Sequence, residues 1–478
     1  MRASGAEGKP RARWPDYAAI WRWHFYAGLF CIPFICWLAI TGSIYIFRPD
    51  IEAWLDRPYE SLHLAGLAAA PSAEARAAIA AIPGSAFTLY QPPATPTGAG
   101  QVVVTKGAIP YRVYINPGTL KPMKVQRNDR RPMDIVAHLH GQLLLGNRGS
   151  MIVELAACWA IVMILTGLYL WWPRGQRGLG GVLYPRLRRR GRLFWRDLHG
   201  VTGFWVSLIA LFLLLSGLPW SSNWGNYLSW TRNLWSVTAG APDWPVGTTN
   251  QPAAKRNLGG KTPAPPQGGM PGMTTAEMAA MVQVAAPDGL PDDQPRVDLH
   301  VLDTVVPLAS RLHVPQPVWI TPPPAGFRDW TIASQIQDRP LRVTYTIDPA
   351  TGAVTGERTF AQENIVDKVV NVVIATHEGH LFGRLNQAVL VLTAISLLTV
   401  SISAVVMWWR RRPSGMLGAP APGARPRFSL WLTASIILLA VLLPLFGVSL
   451  IIVLILDRVV LPRLPAWRLW LGRQPRKA

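Results

Sequence analysis

The chain has 478 residues, 50% of them hydrophobic and only 15% charged, against roughly a quarter charged in a soluble domain. Forty-seven Lys and Arg face 26 Asp and Glu, a net charge of +21, and there are 22 Trp but three Cys. The apolar residues gather in five blocks, which excludes a soluble enzyme, a disordered regulator and a secreted disulfide scaffold.

In chain order, a basic N-terminus (1–25) leads into a first predicted span at 26–47. That run is too long for a signal-peptide core, and no small-residue cleavage site follows it, so it reads as an uncleaved anchor. A long polar segment (48–150) precedes a second span at 151–172 and a basic loop at 173–197. The third span covers 198–220, and a second long segment runs over 221–386. Within it, residues 241–272 are rich in Pro, Gly, Thr and Gln and read as a flexible loop. The fourth span covers 387–409, a short loop 410–427, an apolar block 428–460 and a basic tail 461–478. The last block is too long for one upright helix. Pro444-Leu445-Phe446-Gly447 at its middle favours a hairpin of two short spans, making six crossings; one tilted helix would make five. Cys31, Cys36 and Cys158 all fall in apolar spans and read as small packing residues.

The charge is topology rather than nucleic-acid binding. Residues 1–25, 173–197, 410–427 and 457–478 hold 24 of the 47 Lys and Arg. By the positive-inside rule these short segments are cytoplasmic and the two long ones lie outside, in the periplasm of a bacterial cell. The expectation is a multi-pass protein of the bacterial inner membrane with a cytoplasmic N-terminus.

The chain also repeats itself. Aligning Leu170-Trp171-Trp172-Pro173-Arg174 with Met407-Trp408-Trp409-Arg410-Arg411 puts His140 on His377, Gly146 on Gly383 and Thr166 on Ser403 without a gap. Aligning His24 with His199 puts Gly28 on Gly203, Thr41 on Ser216 and Gly42 on Gly217. The predicted fold is therefore a polytopic α-helical membrane protein of two parallel repeats. Each repeat is a helix pair with a small periplasmic α+β module, and a C-terminal hydrophobic segment or hairpin follows. In each module an Ala-rich helix (72–82 and 274–285) precedes strands that end on a turn, at Asn116-Pro117-Gly118 and Asp348-Pro349-Ala350.

Four of the nine histidines are matched by the repeat. Imidazole is a common axial ligand of haem iron, and bundle cores build cofactor sites from facing helices. His24 and His199 share one depth and His140 and His377 another, so pairing by depth gives two bis-His b-type haems, one near each face. Crosswise pairs would have to bridge the bilayer. A straight helix over 140–171 would carry His140 well above the hydrocarbon. The glycines of 146–149 and Gly383-Arg384 are therefore expected to break the helices and fold the histidine segments back. His138 and His380 are alternative ligands or neighbours, and Arg22, Arg196, Arg148 and Arg384 are candidate partners of haem propionates. Most of the tryptophans read as aromatic belts. There is no Cys-x-x-Cys-His for covalent haem, no dinucleotide fingerprint in strand–helix context and no hydrolytic triad.

The stretches Trp21-Arg22-Trp23-His24-Phe25-Tyr26-Ala27-Gly28, Arg196-Asp197-Leu198-His199, Thr166-Gly167 through Trp171-Trp172-Pro173-Arg174, and Thr376-His377-Glu378-Gly379-His380 resemble those of the PepSY-associated transmembrane proteins. The turns Ile115-Asn116-Pro117-Gly118 and Ile347-Asp348-Pro349-Ala350-Thr351-Gly352 resemble the ends of PepSY modules, although Asn116 stands where Asp is usual. That family includes iron-regulated inner-membrane proteins and di-haem ferric-siderophore reductases. The resemblance implies that His24, His199, His140 and His377 ligate haem iron, with His138 or His380 as substitutes. The expected function is a di-haem b oxidoreductase that carries electrons across the membrane to a ferric chelate, a ferric siderophore, in the periplasm. The donor would be a quinol or a cytoplasmic flavoprotein. Two other classes fit less of the pattern: a haem-free PepSY sensor or protease-regulating protein, and a siderophore permease. The latter would need a broken, polar mid-span segment that the sequence lacks.

Overall fold

The computed structural model describes residues 17–64, 66–173, 178–188, 190–235, 297–324, 327–420 and 429–471. Helix α1 (Tyr17–Ile46) opens the chain, followed by α2 (Arg48–Glu60) and α3 (Pro71–Ala81). Strands β1 (Ala86–Gln91), β2 (Gly100–Lys106), β3 (Ile109–Ile115) and β4 (Pro122–Arg127) follow, then α4 (Pro132–Gln142) and α5 (Gly146–Trp171). The second half contains α6 (Arg192–Gly217), α7 (Ser222–Trp235), α8 (Leu302–Arg311), β5 (Val318–Thr321), β6 (Trp330–Ser334), β7 (Val343–Ile347) and β8 (Val354–Thr359). It continues with α9 (Ile365–His377) and α10 (Gly383–Arg411), and the chain closes with α11 (Leu430–Leu442), α12 (Pro444–Ile455) and α13 (Pro465–Trp470).

Five helical segments among the described residues are long and apolar enough to cross a membrane: α1, α5, α6 running on to Trp220, α10, and Pro444–Arg463. Four of them form a ring in which α1 packs on α5 and α10, and α6 packs on the same two helices. The ring is apolar outside and partly polar inside. Leu208 and Leu392 are exposed, whereas Thr41, Ser207, Thr393, Ser401 and Ser403 are buried. Small polar residues let helices approach closely where lipid removes the hydrophobic drive between them. The helices also reach beyond the predicted spans: α1 begins at Tyr17 rather than at 26, and α6 at Arg192 rather than at 198. Both histidines that were expected at span entrances therefore sit inside helices.

The two predicted modules are one sheet. Its order is β4-β3-β2-β1-β5-β6-β7-β8, antiparallel throughout, and the halves join where Tyr90 pairs with Ile320. Edge-to-edge joining removes one exposed strand edge from each half. α3 and α8 cover one face, burying Ala75, Ala78, Val102, Leu302, Val305, Ile320 and Ile332 in a single core. They also touch directly, since Asp303 accepts from the Ser72 hydroxyl at 2.8 Å. The Ala-rich helix expected at 72–82 is α3, with Pro71 in its first turn, where a missing N–H costs nothing. The helix expected at 274–285 and the loop 241–272 lie outside the described residues. Asn116 and Asp348 build the same turn. Asn116 Oδ1 accepts from Gly118 N at 2.8 Å and Asp348 Oδ1 from Ala350 N at 2.7 Å, so the Asp-to-Asn difference leaves the turn intact.

The C-terminal block is a hairpin. Leu443, with φ −126° and ψ 79°, separates α11 from α12, and the chain doubles back so closely that a Cβ on Gly447 would sit 3.0 Å from the Ala440 carbonyl. Its turn packs on α5 through Phe446 and Trp159, with ring centroids 5.0 Å apart. At the other end of the hairpin, Leu471 O accepts from Tyr26 of α1 and Trp470 O accepts from Leu417 N. With 13 residues, α11 is shorter than a full span.

Candidate functional site

The helix ring encloses a cavity of about 1300 Å³. Its lining includes His24, His140, His199 and His377, the four repeat-matched histidines. His24 and His199 sit together in the part away from the sheet, with ring centroids 6.3 Å apart and planes at 81°. His140 and His377 line the cavity at the end that bears the sheet, brought there by α4 and α9.

Local backbone chemistry puts α4 and α9 in place. α4 stops at Gln142, and Leu143, Leu144 and Gly146 all take positive φ, turning the chain sharply into α5. A Cβ on Gly149 would meet the Gln142 carbonyl at 1.6 Å, so only glycine permits this closeness. The break thus runs from Leu143 into Gly146, the first of the glycines expected to make it. On the other side, Gly379 at φ 85° and Gly383 at φ 56° turn α9 into α10. Trp37 Nε1 donates to Leu139 O at 2.9 Å and ties α4 to α1.

Every one of the four imidazoles is held by Nδ1. His24 Nδ1 donates to Met163 O at 3.0 Å, with Thr166 Oγ1 at 3.2 Å. His199 Nδ1 donates to Val400 O at 3.0 Å, with Ser403 Oγ at 3.4 Å. His140 Nδ1 meets Thr41 Oγ1 at 2.9 Å, and His377 Nδ1 meets Ser216 Oγ at 2.6 Å. Those two hydroxyls also lie 2.8 and 2.6 Å from Trp37 O and Phe212 O one turn earlier, and a hydroxyl that donates to such a carbonyl is free to accept from the ring. For His24 and His199 the carbonyl partner requires a proton on Nδ1 and leaves a lone pair on Nε2, and the hydroxyls beside His140 and His377 are compatible with the same tautomer. Burial holds the His140 imidazole down to about 4. Burial, with a further contribution from His140, holds His377 down to about 3. Both are neutral at physiological pH, as a ligand must be.

The hydroxyls are the residues whose role sequence reasoning missed. The repeat aligned Thr41 with Ser216 and Thr166 with Ser403, but a hydroxyl inside an apolar run looks like a packing residue. Glycines clear the space beside the rings. A Cβ would stand 3.1 Å from His140 at Gly42 and 3.0 Å from His24 at Gly167. Trp220, read as part of a belt, lies edge-on to His377 with centroids 5.6 Å apart.

The remaining candidates separate. His138 and His380 do not line the cavity. His380 Nε2 is buried without a hydrogen-bond partner. Of the four arginines, Arg196 alone lines the cavity, while its Nη2 pairs with Asp197 at 2.8 Å. Arg22 is turned to Tyr26 and Pro420 O, Arg384 pairs with Asp50 at 2.8 Å, and Arg148 is exposed. The cations that do join Arg196 at the end away from the sheet are Arg192, Arg410 and Arg411. Their positive-inside reading had masked them.

Among the described residues no group of three or more His, Cys, Asp and Glu could hold a metal ion. The cavity instead brings its four histidines together two by two, His24 beside His199 and His140 near His377. No curated protein matches the chain. The family model for the PepSY-associated TM region, however, matches residues 21–411, a stretch that takes in all four cavity histidines, and the chain belongs to that family.

Proposed function

We propose that this protein is a di-haem b oxidoreductase of the bacterial inner membrane, passing electrons to a ferric chelate on the side of the sheet. The observation that carries the reading is four imidazoles from four helices, each anchored at Nδ1, converging on one cavity. His24 and His199, with ring centroids 6.3 Å apart across the cavity, are the two residues that would hold one such group. A cavity of about 1300 Å³ also exceeds the ~300–1,000 Å³ of a single small-molecule site. Arg192, Arg196, Arg410 and Arg411 supply cations for the carboxylates of such a group.

When bound, haem supplies a one-electron iron couple at each histidine pair. The chain's own residues do the rest. His24 and His199 hold the centre near the basic, cytoplasmic end; His140 and His377 hold the one beneath the sheet, in the periplasm by the positive-inside rule. The electron converts Fe(III) in the chelate to Fe(II), which oxygen-rich siderophores bind far less well, and no protein nucleophile or general acid is needed. The electron donor is a quinol or a cytoplasmic flavoprotein.

The test is a dithionite-reduced minus oxidised spectrum of the detergent-purified protein, with a pyridine-haemochrome count. Two b-type haems per chain, falling to about one in His24→Ala and in His377→Ala, support the reading. Protein purified without haem from haem-sufficient cells refutes it.

A further inference from the structure

The two histidine pairs are anchored by different chemistry. His24 and His199 each have a main-chain carbonyl as an Nδ1 partner, at 3.0 Å, so their nearby hydroxyls are redundant. A carbonyl only accepts, which leaves those rings one tautomer. Among the described residues His140 and His377 meet no carbonyl at Nδ1; Thr41 and Ser216 are the partners there, at 2.9 and 2.6 Å. A hydroxyl accepts or donates, and its role here is set by where its own proton goes. In both cases the carbonyl four residues earlier in the same helix is in reach of that proton, at 2.8 and 2.6 Å. Donation to that carbonyl strengthens the oxygen as an acceptor.

We propose that Thr41 and Ser216 are positioning residues of the sheet-side pair: their hydroxyls hold His140 and His377 as Nδ1–H tautomers, aim Nε2 into the cavity and tune the ligand strength of that centre alone. Thr166 and Ser403, although matched to each other by the repeat, do not carry this role. The inference rests on the haem reading above. An Nδ1–H acceptor makes imidazole a stronger donor, and loss of such a partner costs ~10–100-fold in metal affinity. A stronger donor favours Fe(III), so removing the acceptor also raises the midpoint potential of the centre it serves.

The experiment uses the full chain in detergent. Haem per chain, an optical redox titration and low-temperature EPR are recorded for wild type, Thr41→Val/Ser216→Ala, Thr166→Val/Ser403→Ala and the conservative Thr41→Ser/Ser216→Thr. The expected result for Thr41→Val/Ser216→Ala is that one of the two centres loses haem or shifts to higher potential with altered EPR g values. The other centre stays as in wild type. Thr41→Ser/Ser216→Thr retains both centres, and Thr166→Val/Ser403→Ala shifts neither. A wild type with two haems and an unaltered Thr41→Val/Ser216→Ala overturns this proposal and leaves the haem reading standing. Equal shifts at both centres, or an equal effect of Thr166→Val/Ser403→Ala, also overturn it. A haem-free wild type overturns the haem reading and this inference with it.

Discussion

His24 and His199, one from each half of the chain, stand edge to face across the helix ring with their centroids 6.3 Å apart. Each is fixed by a main-chain carbonyl of the next helix, Met163 O on α5 and Val400 O on α10. The pair is therefore preorganised by backbone rather than by a side chain. On the haem reading, replacing either ring should remove one centre, seen as a haem count falling from two to one, and it also removes one hydrogen bond between neighbouring helices.

Space beside the rings is set by glycine. A Cβ on Gly42 would approach His140 Cε1 to 3.1 Å, and valine adds two methyls beside that ring. Gly42→Val should displace His140 and abolish the sheet-side centre, whereas Gly28→Ala, whose Cβ meets only Met163 at 3.8 Å, should be tolerated. Haem stoichiometry of the two variants distinguishes the outcomes.

Glu74 gives the sheet a pH dependence. It is buried, its Oε2 accepts from Tyr90 OH at 3.1 Å, and burial raises its carboxyl to about 7 despite that hydrogen bond. A folded-state value above the unfolded one means that the protonated acid stabilises the fold. Its contribution is full below about 4.5, falls as pH rises toward 7 and is lost above. Over that window stability should drop by a few kcal/mol, on the order of 1–3. Glu74→Gln should flatten the dependence and raise the unfolding temperature at pH 8, as read by intrinsic tryptophan fluorescence.

An ionic cluster ties the first half of the sheet to the segment leading into α4. Arg131 lies 3.8 Å from Glu52 and 3.6 Å from Asp56, and Asp56 also accepts from Tyr114 OH at 2.9 Å. Removing the cation takes one partner from each carboxylate, leaving Glu52 with Arg48 and Asp56 with the Tyr114 hydroxyl, a loss of about 1 kcal/mol. Arg131→Ala should lower the unfolding temperature and speed hydrogen exchange in α4. An unchanged exchange rate there would refute the link between the cluster and the His140 helix.

The C-terminal hairpin depends on one close approach. Gly447 faces the Ala440 carbonyl at a distance that leaves no room for a larger side chain. Gly447→Leu should open the hairpin and loosen Phe446 from Trp159, visible as proteolysis between α11 and α12. The haem content should remain, since neither helix lines the cavity.

What the residues alone determined is large. Spans came from runs of apolar side chains, and the duplicated unit and its four histidines came from exact sequence spacing, because each is a one-dimensional property of the chain. The Thr41–Ser216 and Thr166–Ser403 matches were legible too, but not their purpose. Whether an intramembrane hydroxyl closes onto its own helix or onto a ring from another depends on helix rotation, which no local pattern encodes. The same limit explains the arginines: Arg22 and Arg196 have similar sequence settings, yet only Arg196 reaches the cavity. The joining of the modules through Tyr90 and Ile320 was equally hidden. Strand edges carry no sequence mark of their partner, and a backbone ladder forms wherever two edges are brought side by side. Here tertiary packing did that, by setting α3 against α8 across the seam.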